Sequence, residues 1–224
     1  MPAENDQPRS RRERPAKPAL SRESIIGAAL ELVRAEGLPR VTMRRLAQEL
    51  DTGAASLYVY VRNTAELHAA VLDELLGAVD RGPGGDWRTR LERLLTSYTK
   101  VLFTHPGLAQ SALLARPSGP HYLNLIETML ALLDEGGIPP GTAAWGVDLL
   151  LQHATATAAE HSEAAQDPAD WAALSSAIQR VPATTHPRIA AAGQDLLSGT
   201  PEQRLSWGFQ LLINGLAHTP RPID

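Results

Sequence analysis

Apolar residues recur at helical spacing along most of this chain. Between a favourable N-cap at Ser21 and a stop signal at Gly37, apolar side chains repeat every three to four residues. The same periodicity, bounded by capping residues, glycine and proline, predicts helices at about 21–36, 42–50, 54–60, 63–80 and 86–104, a short helix ending near 115, and helices at 120–135, 142–163, 168–180, 187–198 and 201–218. No segment alternates with the period of a strand, so the pattern predicts an all-α fold.

The chain divides into three parts. Residues 1–20 are polar and rich in proline and arginine, which predicts a disordered basic arm. Its arginines either solubilise the chain or reach phosphates and a minor groove. The Gly82-Pro83-Gly84-Gly85 run ends any helix and predicts a hinge, so we expect one domain at 21–81 and another at 86–224.

Composition and charge narrow the function. The 224 residues include no cysteine, which excludes disulfides, thiolate nucleophiles and cysteine metal sites, and no apolar run is long enough to span a membrane. We therefore expect a cytoplasmic protein. The net charge of −4 is uneven, because residues 1–64 hold eleven Lys and Arg against eight Asp and Glu, and the remainder holds ten against seventeen. A basic head on an acidic body is typical of a DNA-binding protein.

The segment from Thr42 to Tyr60 has the anatomy of a helix-turn-helix, with a helix of about nine residues, a three-residue turn and a short second helix. Small Ala47 lets the helices approach closely, and Asp51 tolerates a left-handed backbone at the turn. The predicted wedge between the helices consists of Leu46, Leu50 and Leu57.

The second of these helices carries the side chains expected to face DNA. Small residues fit against base edges, and phenols bond phosphates, whereas the alternative for a tyrosine in a small helical domain is packing. The residues expected on this face are Ala54, Ala55, Ser56, Tyr58 and Tyr60.

From Ser21 to about Leu76 the sequence resembles the N-terminal domain of the TetR/AcrR family of repressors. The resemblance is carried by Ala28-Ala29-Leu30 with Gly37, by Thr42-x-Arg44-x-Leu46-Ala47, and by Leu57-Tyr58-x-Tyr60-Val61-x-Asn63. The part after Gly85 is similar to the ligand-binding core of the tetracycline-repressor branch. The resemblance implies a three-helix DNA-binding domain followed by a helical bundle for ligand binding and dimerisation. It further implies a repressor that binds a palindromic double-stranded operator as a homodimer and is released by a small-molecule effector.

The resemblance also assigns DNA contacts. Thr42 falls where the family commonly touches a phosphate, Arg44 where this branch places an arginine on a base, and Tyr58 and Tyr60 where phosphates are bound. Thr64 stands where the family usually has a phosphate-binding lysine, and Asp51 where it usually has glycine. The missing lysine lowers the expected affinity and makes the basic arm a plausible additional contact.

Ligand and dimer residues follow from the same resemblance. The ligand pocket is expected among the helices after the hinge, at Tyr98, Leu102, Tyr122, Ile126, Trp145, Leu149 and His153. The helices at 142–163 and 201–218 are expected to form a four-helix bundle with those of a second copy, through Gly146, Ala154, Thr157, Ala158, Trp207, Leu211 and Asn214. The alternative for either set is packing within one subunit. Ala112 stands where the tetracycline branch has a magnesium-binding histidine, so we expect a different, largely apolar inducer and neither a metal nor a cofactor.

Two other functions are the alternatives to a DNA-binding regulator. An enzyme is disfavoured, because the sequence has no Glu-x-x-His pair, His-Glu-x-x-His, Gly-x-Ser-x-Gly or phosphate loop. A ligand-binding or interaction protein whose DNA-binding head no longer functions is the second alternative, and the intact wedge residues speak against it.

Overall fold

The computed structural model describes residues 19–105, 107–114, 117–162 and 168–222. Within these residues the chain forms α-helices and one short 3-10 turn at Leu38–Arg40, without a strand. The helices are α1 (Arg22–Glu36), α2 (Met43–Glu49), α3 (Ala54–Leu57), α4 (Thr64–Leu76), α5 (Trp87–Thr104), α6 (Leu108–Leu114), α7 (Pro120–Glu135), α8 (Pro140–Glu160), α9 (Pro168–Arg180), α10 (Pro187–Leu197) and α11 (Pro201–His218). The all-α prediction is confirmed.

The predicted helix starts are where the sequence signals put them. Ser21, Thr42, Asn63, Asp86 and Thr200 each accept a hydrogen bond from the backbone N–H three residues later. These bonds satisfy one of the N–H groups that every helix leaves unpaired at its start. At Ser21 and Thr200 the bond is reciprocal and completes a capping box.

Two helices end earlier than the periodicity predicts. Helix α3 stops at Leu57 instead of near Tyr60, because the N–H groups of Tyr60 and Val61 both donate to the carbonyl of Leu57 and form a turn. Helix α4 stops at Leu76 instead of Asp80, since three successive N–H groups beginning at Gly77 bond to carbonyls three residues back. Apolar spacing continues through both turns, which is why the sequence pattern overestimates these helices.

Helices α1 to α4 form a small head around one apolar centre. Ile25, Leu46, Leu57 and Leu67 are fully buried there. The ring Nε2 of His68 on α4 lies 2.8 Å from the carbonyl oxygen of Val41, just before α2. The first half of α4 is thus fixed to the helix-turn-helix.

The remaining helices build a bundle in which α5, α7, α8 and α11 surround the apolar centre. Close approach depends on glycine at some crossings: a Cβ at Gly146 of α8 would lie 2.7 Å from the side chain of Leu216 on α11. Helices α9 and α10 pack against each other, and none of their described side chains is buried. None of the described helices has the length and apolar character needed to cross a membrane.

The glycine-rich linker is tied to the bundle. Arg93 of α5 donates to the carbonyl oxygens of Pro83 and Gly84 at 3.1 and 3.0 Å. Gly84 and Gly85 have φ of +107° and +89°, a backbone region that favours glycine. The second half of α4 packs against α6 and α7, so head and bundle touch beside the linker as well as through it.

Candidate nucleic-acid interface and ligand cavity

The turn between α2 and α3 has the geometry expected of a helix-turn-helix. Asp51 adopts φ of +47°, the left-handed conformation that the sequence predicts there. The N–H of Thr52 donates to the carbonyl of Ala47 at 2.9 Å, which closes the turn. Leu46 and Leu57 are fully buried and hold the two helices together.

The residues expected to face DNA lie largely in solvent. Two of the eight, Ala54 and Thr64, are half-buried. The exposed residues of the set are Thr42, Arg44, Ala55, Ser56, Tyr58 and Tyr60. Val59, between the two tyrosines, is 78% exposed and lies on the same surface, although it was not predicted to face DNA. In the sequence it stands in the short apolar run after Leu57, which does not distinguish an exposed residue from a buried one.

Two neighbouring arginines on α2 have different electrostatic surroundings. Arg45 donates to the carboxylates of Glu36 at 2.7 Å and Glu49 at 2.8 Å. These hydrogen bonds raise the pKa of Arg45, and the Arg45 bond lowers the pKa of Glu36. Arg44 is exposed and has no ion pair among the described residues. Arg44 therefore carries the uncompensated charge of α2.

A cavity of about 100 Å³ lies where α4, α5, α6 and α8 meet the start of α7. Its walls combine apolar side chains with polar groups on α5, α7 and α8. The lining residues are Leu72, Tyr98, Ala112, Leu113, Pro117, Tyr122, Asp148, Leu151, Gln152 and Thr155. The hydroxyls of Tyr98 and Thr155 are 2.8 Å apart and buried, which fixes one polar point in the wall.

Of the seven ligand candidates, Tyr98 and Tyr122 line this cavity and the others lie elsewhere. Leu102 is buried in the bundle core, and Ile126 is half-buried. The His153 ring meets Phe209 of α11 edge-to-face, with centroids 5.6 Å apart. Leu72 was not among the residues predicted from the sequence, because the pocket was expected only among the helices after the hinge. In the structure, Leu72 of α4 in the head forms part of the cavity wall.

Trp145 and Leu149 point out of the bundle instead of into the cavity. They are 57% and 42% exposed, one turn apart on α8. Trp207 and Leu211 make the same pair on α11, at 64% and 50% exposure. These four side chains line or flank one open apolar groove on the α8 and α11 surface. The equal spacing of the two pairs is the signal that could have grouped them in the sequence.

The remaining residues expected in the dimer interface divide between surface and interior. Asn214 is exposed and Thr157 is half-buried. Ala154 and Ala158 are fully buried within this chain, and Gly146 packs against Leu216 of the same chain. The small size of these three residues is used for packing inside the subunit, so they offer no surface to a second copy.

Two further expectations concern the basic arm and a bound metal ion. The basic arm, with Arg9, Arg11, Arg12 and Arg14, lies outside the described residues. Within the part of the chain that is described, no three His, Asp or Glu side chains are grouped closely enough to hold a metal ion.

Comparison with known proteins agrees with this architecture. Residues 25–71 match the family model of the bacterial regulatory proteins of the tetR family, and residues 81–219 match the model of the tetracyclin repressor-like C-terminal domain. A Streptomyces coelicolor protein described as a transcription regulator is 56% identical, with a TM-score of 0.81 over 93% of this chain and 100% of that chain. The regulator ActR of Streptomyces coelicolor, solved in complex with actinorhodin, is 33% identical, with a TM-score of 0.78 over 89% of this chain and 96% of that chain.

One similar protein is named as a repressor. The HTH-type transcriptional repressor DrrR1 of Streptomyces coeruleorubidus is 28% identical over 213 residues, which is 89% of this chain and 78% of that protein. The two family models together span both the head and the bundle, and the relatives are regulators instead of enzymes. This chain belongs to the TetR family of ligand-responsive, DNA-binding transcriptional regulators.

Proposed function

We propose that this regulator is a repressor that binds a palindromic operator as a homodimer and is released by a small, largely apolar inducer. The observation that carries the proposal is the exposed face of the helix-turn-helix. In its wedge Leu46 and Leu57 are fully buried and Leu50 is half-buried, while Tyr58, Tyr60 and Arg44 with its uncompensated charge are exposed to solvent. A packed helix-turn-helix together with an exposed, positively charged face is expected of a head that binds DNA and is not required of one that has lost this function.

The outer face of α8 and α11 supports the homodimer. Trp145, Leu149 and Leu211 line an open, mostly apolar groove, and the exposed Trp207 lies one turn before Leu211 on α11; exposed apolar surface of this kind marks a protein interface. One helix-turn-helix reads only a few base pairs, and two heads on adjacent turns of one DNA face need a separation of about 34–36 Å. A second copy seated on this surface supplies the second head.

The cavity bears on the class of inducer. Five of its ten lining residues are leucine, alanine or proline, so a largely apolar ligand has apolar contacts there, and the side chains of Tyr98, Tyr122, Asp148, Gln152 and Thr155 bring polar groups to the wall. ActR, which shares the fold at 33% identity, binds actinorhodin, a precedent for a ligand in this type of core. At about 100 Å³ the cavity is smaller than the roughly 300–1,000 Å³ of pockets for drug-sized molecules, so a ligand of that size must separate its walls.

The division of labour follows from these sites. We assign DNA binding to residues 21–81 and ligand binding with dimerisation to residues 86–224. Helix α4 is shared, because its first half is fixed to the head and Leu72 in its second half lines the cavity. A regulator that reads chromosomal DNA acts in the cytoplasm, which we propose as its location.

Selection of duplexes from a random library with the purified full chain tests the proposal. We expect an enriched inverted repeat, bound by a species with twice the mass of one chain. Actinorhodin, the molecule bound in the ActR structure, then serves as the inducer probe, and release of the selected duplex by it supports induction by a small molecule. Absence of duplex binding at low salt would refute the DNA-binding role and favour a ligand-binding protein with a non-functional head. Binding by a single chain would refute the homodimer.

A further inference from the structure

One buried carboxylate links the two halves of the molecule. Asp73 lies in the second half of α4 and is only 4% exposed. Its carboxylate accepts hydrogen bonds from the backbone N–H groups of Tyr122 at 2.8 Å and His121 at 3.4 Å. Both N–H groups belong to the first turn of α7, so a residue of the head caps a helix of the bundle.

The start of α7 is built to need this external cap. Gly119 is its N-cap residue, has no side chain to donate an acceptor, and is followed by Pro120. The free N–H groups of the first turn carry partial positive charge, which favours an anion at that position. A Cβ on Gly119 would lie 2.1 Å from Oδ2 of Asp73, so only glycine leaves room for the carboxylate.

The same contact touches the ligand cavity from both sides. Leu72, the neighbour of Asp73, lines the cavity from α4. The side chain of Tyr122, whose N–H is bound by Asp73, lines it from α7. A ligand that separates the cavity walls therefore acts on the two residues that flank this hydrogen bond.

Helix α4 passes the position of Asp73 on to the DNA-binding surface. Five residues before Asp73, the ring of His68 is bonded to the carbonyl of Val41 immediately before α2. Leu67 and Val71 are fully buried in the head. Asp73 is therefore connected to the head through the buried contacts of α4.

We propose that Asp73, by capping α7 from α4, is the residue that sets the position of the DNA-binding head on the bundle. This inference rests on the proposed function, since positioning matters only for two heads on one operator. The coupling is exerted through the backbone of α7 and needs no contact between Asp73 and either DNA or ligand. Differential binding of a ligand to two head positions is what allows an inducer to weaken DNA affinity.

The test separates the cap from the link. In the double variant D73A/G119D the carboxylate of Asp73 is removed, and an aspartate enters at the N-cap of α7, where φ of −85° and ψ of 178° suit a capping side chain. This variant keeps α7 capped from within its own chain segment and abolishes the bond to α4. The matched control is E74Q, which neutralises an exposed carboxylate one residue along the same helix and so removes the other acidic contact with the start of α7, in which Oε2 of Glu74 lies 3.9 Å from Nε2 of His121.

The readout is discrimination between operator spacings. The selected duplex is compared with versions that carry one base pair more or fewer at the centre, which rotates and shifts one half-site against the other. We expect the natural chain and E74Q to prefer the selected spacing by about tenfold or more, and D73A/G119D by less than about threefold with its dimer and melting temperature retained.

Three outcomes would overturn the role of Asp73, and a fourth would refute the proposed function. Equal discrimination by D73A/G119D and the natural chain would overturn the role of Asp73, and so would a natural chain that binds DNA without regard to spacing. A loss of discrimination in E74Q as large as in the double variant would also overturn it, because the contact between Glu74 and His121 would then position the head as much as Asp73 does. A natural chain that binds no duplex refutes the proposed function instead.

Discussion

Replacing Arg44 with alanine separates a DNA contact from a structural charge, because Arg45 beside it is a built-in comparison. Arg44 is exposed and unpaired among the described residues, whereas Arg45 is held by Glu36 and Glu49. An arginine that binds a base contributes about 1–3 kcal/mol. A dimer presents Arg44 twice, so R44A is expected to cost about 2–6 kcal/mol per complex, or at least about 25-fold in Kd.

The measurement is fluorescence anisotropy of the selected duplex over a series of salt concentrations. If Arg44 binds a base, R44A lowers the preference for the selected duplex over a scrambled one. If it binds only phosphate, affinity falls for both duplexes and the salt slope drops by about 0.9 for each lost contact. R45A is expected to change operator affinity less than R44A. A Kd for R44A within twofold of the natural value and an unchanged salt slope would refute the reasoning.

Three further outcomes are expected. W207R combined with L211R places charge on the apolar face of α11, so sedimentation should show monomers and operator binding should fall; a stable dimer would contradict this interface. A112F fills the cavity wall and is expected to lower operator affinity, whereas A131F on the exposed face of α7 is not; equal effects of the two would contradict coupling through the cavity. Burial, and secondarily the charge of Arg34, lowers the pKa of His105, so the folded state binds its proton less well than the unfolded state and stability falls as the pH drops below about 6.5. Denaturant unfolding should therefore show a smaller loss between about pH 7 and pH 5 in H105Q, and an unchanged loss would contradict the assignment.

Local signals in the sequence were sufficient to predict where most helices begin and where the helix-turn-helix lies. Capping side chains, stop glycines and apolar spacing act within a few residues, so Ser21, Thr42 and Asn63 mark helix starts without tertiary information. Asp51 was predictable for the same reason, since a left-handed turn restricts which residues fit. The ends of α3 and α4 were not, because i to i+3 bonds replace the helical pattern without changing the apolar spacing.

Which face of a helix meets which neighbour was decided only by the tertiary structure. Ala154 and Trp145 lie on the same helix, and the sequence predicted the first in the dimer interface and the second in the ligand pocket, yet packing against the rest of the subunit buries Ala154 and leaves Trp145 exposed. The ion pair between Arg45 and Glu36 likewise depends on how α1 packs against α2.

The cavity and the link between the halves were beyond the reach of the sequence for the same physical reason. Leu72 lines a cavity whose other walls lie tens of residues away, and Asp73 caps a helix that begins 47 residues later. Secondary structure follows from interactions between near neighbours, which the order of residues displays directly. Contacts between distant segments depend on how the helices pack, and packing is fixed by the sum of many small apolar contacts that no short motif encodes.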